Sequence, residues 1–147
     1  MPIEMHLEVG ERAEYTRTIT EADILRFADI SGDHSPIHVD ADYARSTPYG
    51  RRIAHGALLM GLLSATSTII AERSVARGAK GMPVSLGYDR VRIIRPVFID
   101  DTVVARYTVE SIDAEAGRAI SKIEIVKQDG ELCLVGSHVM KWVGPAM

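Results

Sequence analysis

An α+β fold, with one antiparallel β-sheet curled around a long central helix, is what this chain of 147 residues predicts. Strand-like alternation is confined to a short run near residue 15 and to the stretch after residue 84, with the helical signals between them. Such segregation points to an antiparallel sheet rather than alternating parallel units. In addition, residues 53 to 71 hold no Asp, Glu, Lys or Arg. The helix they form has no charged face, so something must wrap it.

The elements follow in order. Tyr15 to Ile19 reads as a first strand. Thr20-Glu21-Ala22-Asp23 sets a hydroxyl at a helix cap and a carboxylate three residues on, a variant of the capping box. Ile24, Phe27, Ala28 and Ile30 give that helix one apolar side, and Ser31-Gly32 ends it. Residues 32 to 37 are expected to turn, because Gly32 and Pro36 both resist helix. Asp40 caps a short helix through Arg45, and Thr47 to Gly50 turns again. The long helix is expected at about residues 53 to 73, and Gly78 to Pro83 breaks it. Strands follow at 84–95, with a bulge near Asp89, and then at 102–112, 118–127 and Leu132 to Val143. Asp129-Gly130 signals a two-residue hairpin. The last run is apolar on both phases through Val139, as an interior strand would be.

Composition bounds the function. The chain is 46% hydrophobic and 25% charged, with a net charge of −3. It fits one domain spanning residues 1–147 and lacks the basic surplus of a nucleic-acid binder. The arginines at 51–52 and from 90 to 95 could meet phosphates locally without making a basic face. The polar residues His55, Ser64, Thr66, Ser67 and Thr68 argue against a membrane span. A lone Cys133 and an N-terminus without a leader pattern predict a cytoplasmic protein. Five scattered histidines show no zinc spacing, so no metal site is expected.

Chemistry concentrates in Ser31-Gly32-Asp33-His34-Ser35-Pro36-Ile37-His38. Asp33 and His38 lie five residues apart across a loop that Pro36 stiffens, so a carboxylate and an imidazole can hold one water between them. The plainer alternative is an Asp bonding its own turn backbone and a surface His. Ile53-Ala54-His55-Gly56 opens the apolar helix. Its free N–H groups and partial positive charge suit an oxygen that becomes negative, and Gly56 lets another molecule approach. Alternatively Gly56 serves packing, and His55 is a hydrogen-bonded helix-start residue. Ser64 lies about 80° and about 12 Å further along the helix. It could line the same strip as Gly56 and Met60, or simply bond backbone.

Taken together, Phe27-Ala28 through Ser31-Gly32-Asp33, Pro36-Ile37-His38-Val39-Asp40, Tyr43-Ala44, Tyr49-Gly50 and Ile53-Ala54-His55-Gly56 resemble the MaoC-like hydratase family. Its simplest members are (R)-specific enoyl-CoA hydratases. Arg95-Pro96-Val97 and Asp100-Asp101-Thr102-Val103 resemble its later region. The resemblance implies a hot-dog fold and a homodimer or larger homo-oligomer. It also implies addition of water to an acyl-CoA thioester, or the reverse, with no cofactor beyond the substrate's own coenzyme A. It places Asp33 and His38 on the catalytic pair, Gly56 on the amide that binds the thioester carbonyl, and Ser64 on a small polar active-site residue. Two positions depart from the family: Ser35 stands where Asn is usual, and Arg52 where Pro is frequent. A dehydratase subunit acting on acyl-carrier protein would use the same pair. A thioesterase on this fold would need a carboxylate on the central helix, which residues 53 to 71 lack. A thioester-binding module without catalysis would not need both Asp33 and His38.

Overall fold

Residues 2–144 are described by a computed structural model. Strand β1 (Arg12–Thr18) leads into helix α1 (Glu21–Ser31), the short helices α2 (Pro36–Val39) and α3 (Ala41–Arg45), and the long helix α4 (Gly56–Ala76). Strands β2 (Met82–Ile93), β3 (Thr102–Asp113), β4 (Arg118–Lys127) and β5 (Leu132–Val143) complete the chain. All five strands form one antiparallel sheet in the order β1-β3-β4-β5-β2.

The inward rows of that sheet meet α4. Val103, Ala105, Tyr107 and Val109 of β3 are buried, as are Ala119, Ile123 and Ile125 of β4. They share one core with Leu59, Leu62, Leu63 and Ile70 of α4. Trp142 of β5 donates from Nε1 to Ser74 Oγ at 3.0 Å, and Ser74 Oγ donates to the Met5 carbonyl at 2.6 Å. One hydroxyl thus ties the end of α4 to the last strand and to the N-terminal segment.

Several local expectations hold with physical reasons. Thr20 and Asp23 form the reciprocal capping box, and Arg17 of β1 grips the same carboxylate at 2.7 and 3.1 Å. The hydrogen bonds from Arg17 hold the Asp23 carboxyl below the usual range. Gly32 ends α1 in the left-handed conformation, with φ of 82°. The bulge near Asp89 is present, with Arg90 at a φ of 54°.

Other expectations need correction. Residues 36 to 39 are helical, because proline at the first helical position loses no hydrogen bond there. Strand β1 starts at Arg12, earlier than expected, and Ile30 is 86% exposed instead of facing the core. The long helix begins at Gly56, since Ile53 is extended against Phe98 and the Ala54 N–H donates to the Val97 carbonyl at 2.7 Å. The β4–β5 hairpin has a three-residue loop: Gly130 is left-handed and Lys127 closes onto Glu131. Nor is α4 wholly wrapped within one chain, because Ala57, Gly61, Ser64 and Thr68 form an exposed stripe.

Strand β5 also carries a buried polar group that its apolar pattern concealed. His138 is fully buried, with Nδ1 2.5 Å from the Tyr107 hydroxyl and Nε2 2.7 Å from Ser85 Oγ. Burial pushes its pKa down to about 4.

Two measurements follow. Leu63→Ala removes a side chain with no solvent exposure, and is expected to cost about 2–5 kcal/mol in chemical denaturation. An unchanged unfolding midpoint would mean that α4 does not sit in the core. His138 favours the neutral form on folding, so its contribution is complete above pH ~6.5 and is lost as pH falls toward 4. Wild-type protein should lose about 2 kcal/mol more than His138→Gln between pH 7.5 and 5. Equal pH slopes in urea titrations would contradict a buried neutral His138.

Candidate active site

Three side chains distant in sequence converge where α1, α2 and α4 meet. A carboxylate oxygen of Asp33 and one ring nitrogen each of His38 and His55 lie within 4.8 Å of one another. Asp33 follows the left-handed Gly32, His38 sits in the single turn of α2, and His55 is the residue before α4.

Backbone carbonyls orient both imidazoles. His38 Nδ1 lies 2.7 Å from the Ile53 carbonyl. A carbonyl only accepts, so Nδ1 carries the hydrogen and, in the neutral ring, Nε2 offers a lone pair. By the same argument His55 Nε2 donates to the Asp33 backbone carbonyl at 2.9 Å. The His38 and His55 rings stack at 3.8 Å with planes 24° apart, and Phe27 covers His55 at 4.7 Å. His55 is buried and its Nδ1 has no partner among the described residues. Burial, reinforced by the nearby His38, lowers its pKa despite the bond to Asp33. A neutral His55 is therefore a pedestal: it holds the Asp33 backbone and gives His38 a flat surface.

Asp33 makes the turn bond that its plainer reading predicts. Its Oδ1 accepts the Ser35 N–H at 3.2 Å, the local turn bond, which leaves Oδ2 for another donor. His34 turns the other way, toward Asp29 at 3.1 Å, and that bond raises its pKa. Gly56 serves packing, as its alternative reading has it. A Cβ there would run into the Ile93 side chain. As the first residue of α4 it presents an N–H that the His55 cap side chain leaves free. Ser64 is not brought into the cluster: it lies two turns along α4 on the exposed stripe, and its carbonyl accepts from Ser67 Oγ.

Sequence spacing brought Asp33 and His38 together but gave no hint that His55 joins them, because it comes from a distant part of the chain. As a metal cage it is poorly shaped. Two stacked rings with planes 24° apart hold their in-plane lone pairs in separate layers rather than aiming them at one ion about 2 Å from each.

The family described as "MaoC like domain" matches residues 6–129. This chain belongs to the MaoC-like family. Among curated MaoC-like relatives, the (R)-specific enoyl-CoA hydratase of Aeromonas caviae is 30% identical over 135 residues, 92% of this chain and 95% of that protein. The (R)-specific enoyl-CoA hydratase of Rhodospirillum rubrum is 38% identical over 109 residues, 74% of this chain and 70% of that one. The unliganded R-hydratase of Pseudomonas aeruginosa superposes with a TM-score of 0.78 at 32% identity, covering 97% of this chain and 86% of that one. The sheet around α4 is the hot-dog fold of this family. Within it, a carboxylate and two imidazoles, from Asp33, His38 and His55, lie together beside the start of α4.

Proposed function

We propose that this MaoC-like protein catalyses (R)-specific addition of water to a 2-enoyl-CoA thioester, and the reverse dehydration of the 3-hydroxyacyl-CoA. The observation that carries this reading is the approach of the Asp33 carboxylate to His38 within 4.8 Å, beside the N-terminus of α4. The names of the relatives supply the reaction class.

The chemistry follows from the geometry. The thioester carbonyl accepts from the Gly56 N–H, so charge that flows onto its oxygen meets the positive end of α4. A water donates one hydrogen bond to Asp33 Oδ2 and one to His38 Nε2, which points its oxygen at C3. As the C3–O bond forms, the C2–C3 π electrons move toward C2 and the carbonyl oxygen. Nε2 takes the proton, and the ionised Asp33 offsets the imidazolium charge. Nε2 then returns that proton to C2. One imidazole thus serves both transfers. The first carboxylate on α4 is Glu72, more than four turns beyond Gly56. The thioesterase alternative therefore lacks the central-helix carboxylate it would need near the carbonyl.

A homodimer is part of this proposal. Asp33 is exposed, the stripe Ala57-Gly61-Ser64-Thr68 is open, and the edge strand β2 shows Met82, Leu86 and Ile93 at 62, 50 and 58% exposure. A second copy laid on these surfaces would cover an edge prone to pairing and shield the site from bulk solvent, leaving the reacting water. It would also turn Ser64 from an exposed residue into an enclosed one.

Asp33→Asn keeps the turn bond and removes the negative charge, while His38→Gln removes the proton carrier. Each is expected to lose about 10²–10⁴-fold in turnover on crotonyl-CoA, with the melting temperature retained. The double variant should be little worse than the weaker single. Near-normal turnover in either single variant would assign the chemistry elsewhere. Light scattering on the active wild-type protein should report a dimer or larger; an active species of monomer mass alone would refute the assembly.

A further inference from the structure

Behind the catalytic loop is a cavity of about 210 Å³, lined by Ala41, Arg45, Arg51, Arg52 and Ile99. Three of these five residues are arginines. Arg45 is paired with Asp42, and Arg52 with Glu21. Arg51 differs: it has no acidic partner among the described residues, and its guanidinium carbon lies 3.8 Å above the Phe98 ring centre. A guanidinium stacked by its face keeps its N–H edge free to donate, a geometry that suits phosphate oxygens. The backbone that carries this ring is held, since Phe98 pairs with Ile53 and its N–H donates to Asp101 Oδ2 at 2.9 Å.

The position of this cation matters as much as its chemistry. Arg51 leads through Arg52 into Ile53, Ala54, His55 and Gly56, and Ile53 and Ala54 are extended against Phe98 and Val97. Five extended residues span at most about 18 Å, so the Arg51 backbone lies within that distance of the amide assigned to the thioester carbonyl. A pantetheine arm stretched from that carbonyl covers a comparable length and ends in phosphate. The Ile53 N–H also donates to the Ile37 carbonyl, and the Ile53 carbonyl holds His38. The arginine pocket and the water-activating pair are therefore built on one piece of backbone.

We propose that Arg51, flanked by Arg45 and Arg52, is the phosphate subsite for the carrier end of the thioester. The proposal rests on the hydratase reading for the other end of the arm. The ligand chemistry is a phosphate ester beyond pantetheine, whether it comes from coenzyme A or from a carrier protein's prosthetic group.

The test loads one crotonyl group on coenzyme A, on 4′-phosphopantetheine and on N-acetylcysteamine, which has no phosphate. Wild type, Arg51→Ala and Arg118→Ala are compared, the last removing an equal charge at the far end of β4. In Arg51→Ala the ratio of kcat/KM for the coenzyme A thioester to that for N-acetylcysteamine should fall about tenfold. In Arg118→Ala it should stay near the wild-type value. Calorimetric binding of free coenzyme A should weaken by a similar factor in Arg51→Ala, a readout independent of turnover. The wild-type preference for the coenzyme A thioester should shrink as salt is raised. A matching loss on the phosphopantetheine thioester places the contact at the phosphate ending the arm; a loss on coenzyme A alone places it at the nucleotide phosphates. Both outcomes uphold the subsite. An unchanged ratio with unchanged coenzyme A binding, or a proportional loss on all three thioesters, would overturn it. A wild-type protein that binds coenzyme A through Arg51 but hydrates none of the thioesters would refute the hydratase reading and leave the phosphate contact standing.

Discussion

Covering α4 is the constraint from which the other features follow. From Gly56 to Ala71 the helix offers no charged residue to water, and Leu59, Leu63 and Ile70 are almost fully buried. A flat sheet cannot cover such a helix along its length, so the strands must curl round it, with β3 and β4 supplying apolar rows. The same burial fixes the direction of the helix. Its N-terminus is delivered beside Ile93, at the end of the edge strand, and its C-terminus is pinned by Ser74 and Trp142. A positive dipole end is thereby held in a defined place without any dedicated ion pair.

The reactive cluster is built outward from that fixed end. His55 caps no N–H of α4; it spends its ring hydrogen on the Asp33 carbonyl and its face on His38. His38 is in turn anchored by Ile53, part of the extended segment that precedes the helix. Each catalytic candidate is therefore positioned by backbone already committed to the core. Side-chain entropy that would oppose a loose Asp/His pair has been lost on folding rather than at the moment of reaction.

The single chain leaves one side of this arrangement open, and its polar interior lies elsewhere. The chain Tyr107–His138–Ser85 runs through the sheet to the β2 edge, where Ser85 is exposed. Its imidazole is neutral because burial opposes charge. It joins three strands by side-chain hydrogen bonds in a region otherwise held by apolar packing, which sharpens strand register at the cost of pH sensitivity.

The sequence by itself determined the class of fold and most of its punctuation. Missing charge over residues 53 to 71 demanded a wrapped helix. The Thr20/Asp23 box, Gly32 and the phase shift near Asp89 marked ends and a bulge through local backbone chemistry that needs no neighbours. It also singled out Asp33, His38 and Gly56, because a Pro-stiffened loop and a His-Gly helix start are readable one residue at a time. What it could not determine were relations between residues far apart in the chain. The stacking of His55 on His38, its hydrogen bond to the Asp33 carbonyl, and the burial of His138 inside an apparently apolar strand depend on which surfaces meet. So does the helical turn at Pro36, and so does the exposure of Ser64 on a helix expected to have no open side. Local patterns encode what a segment prefers; only packing decides which side chains share a few ångströms of space, and the chemistry of this protein depends on that proximity.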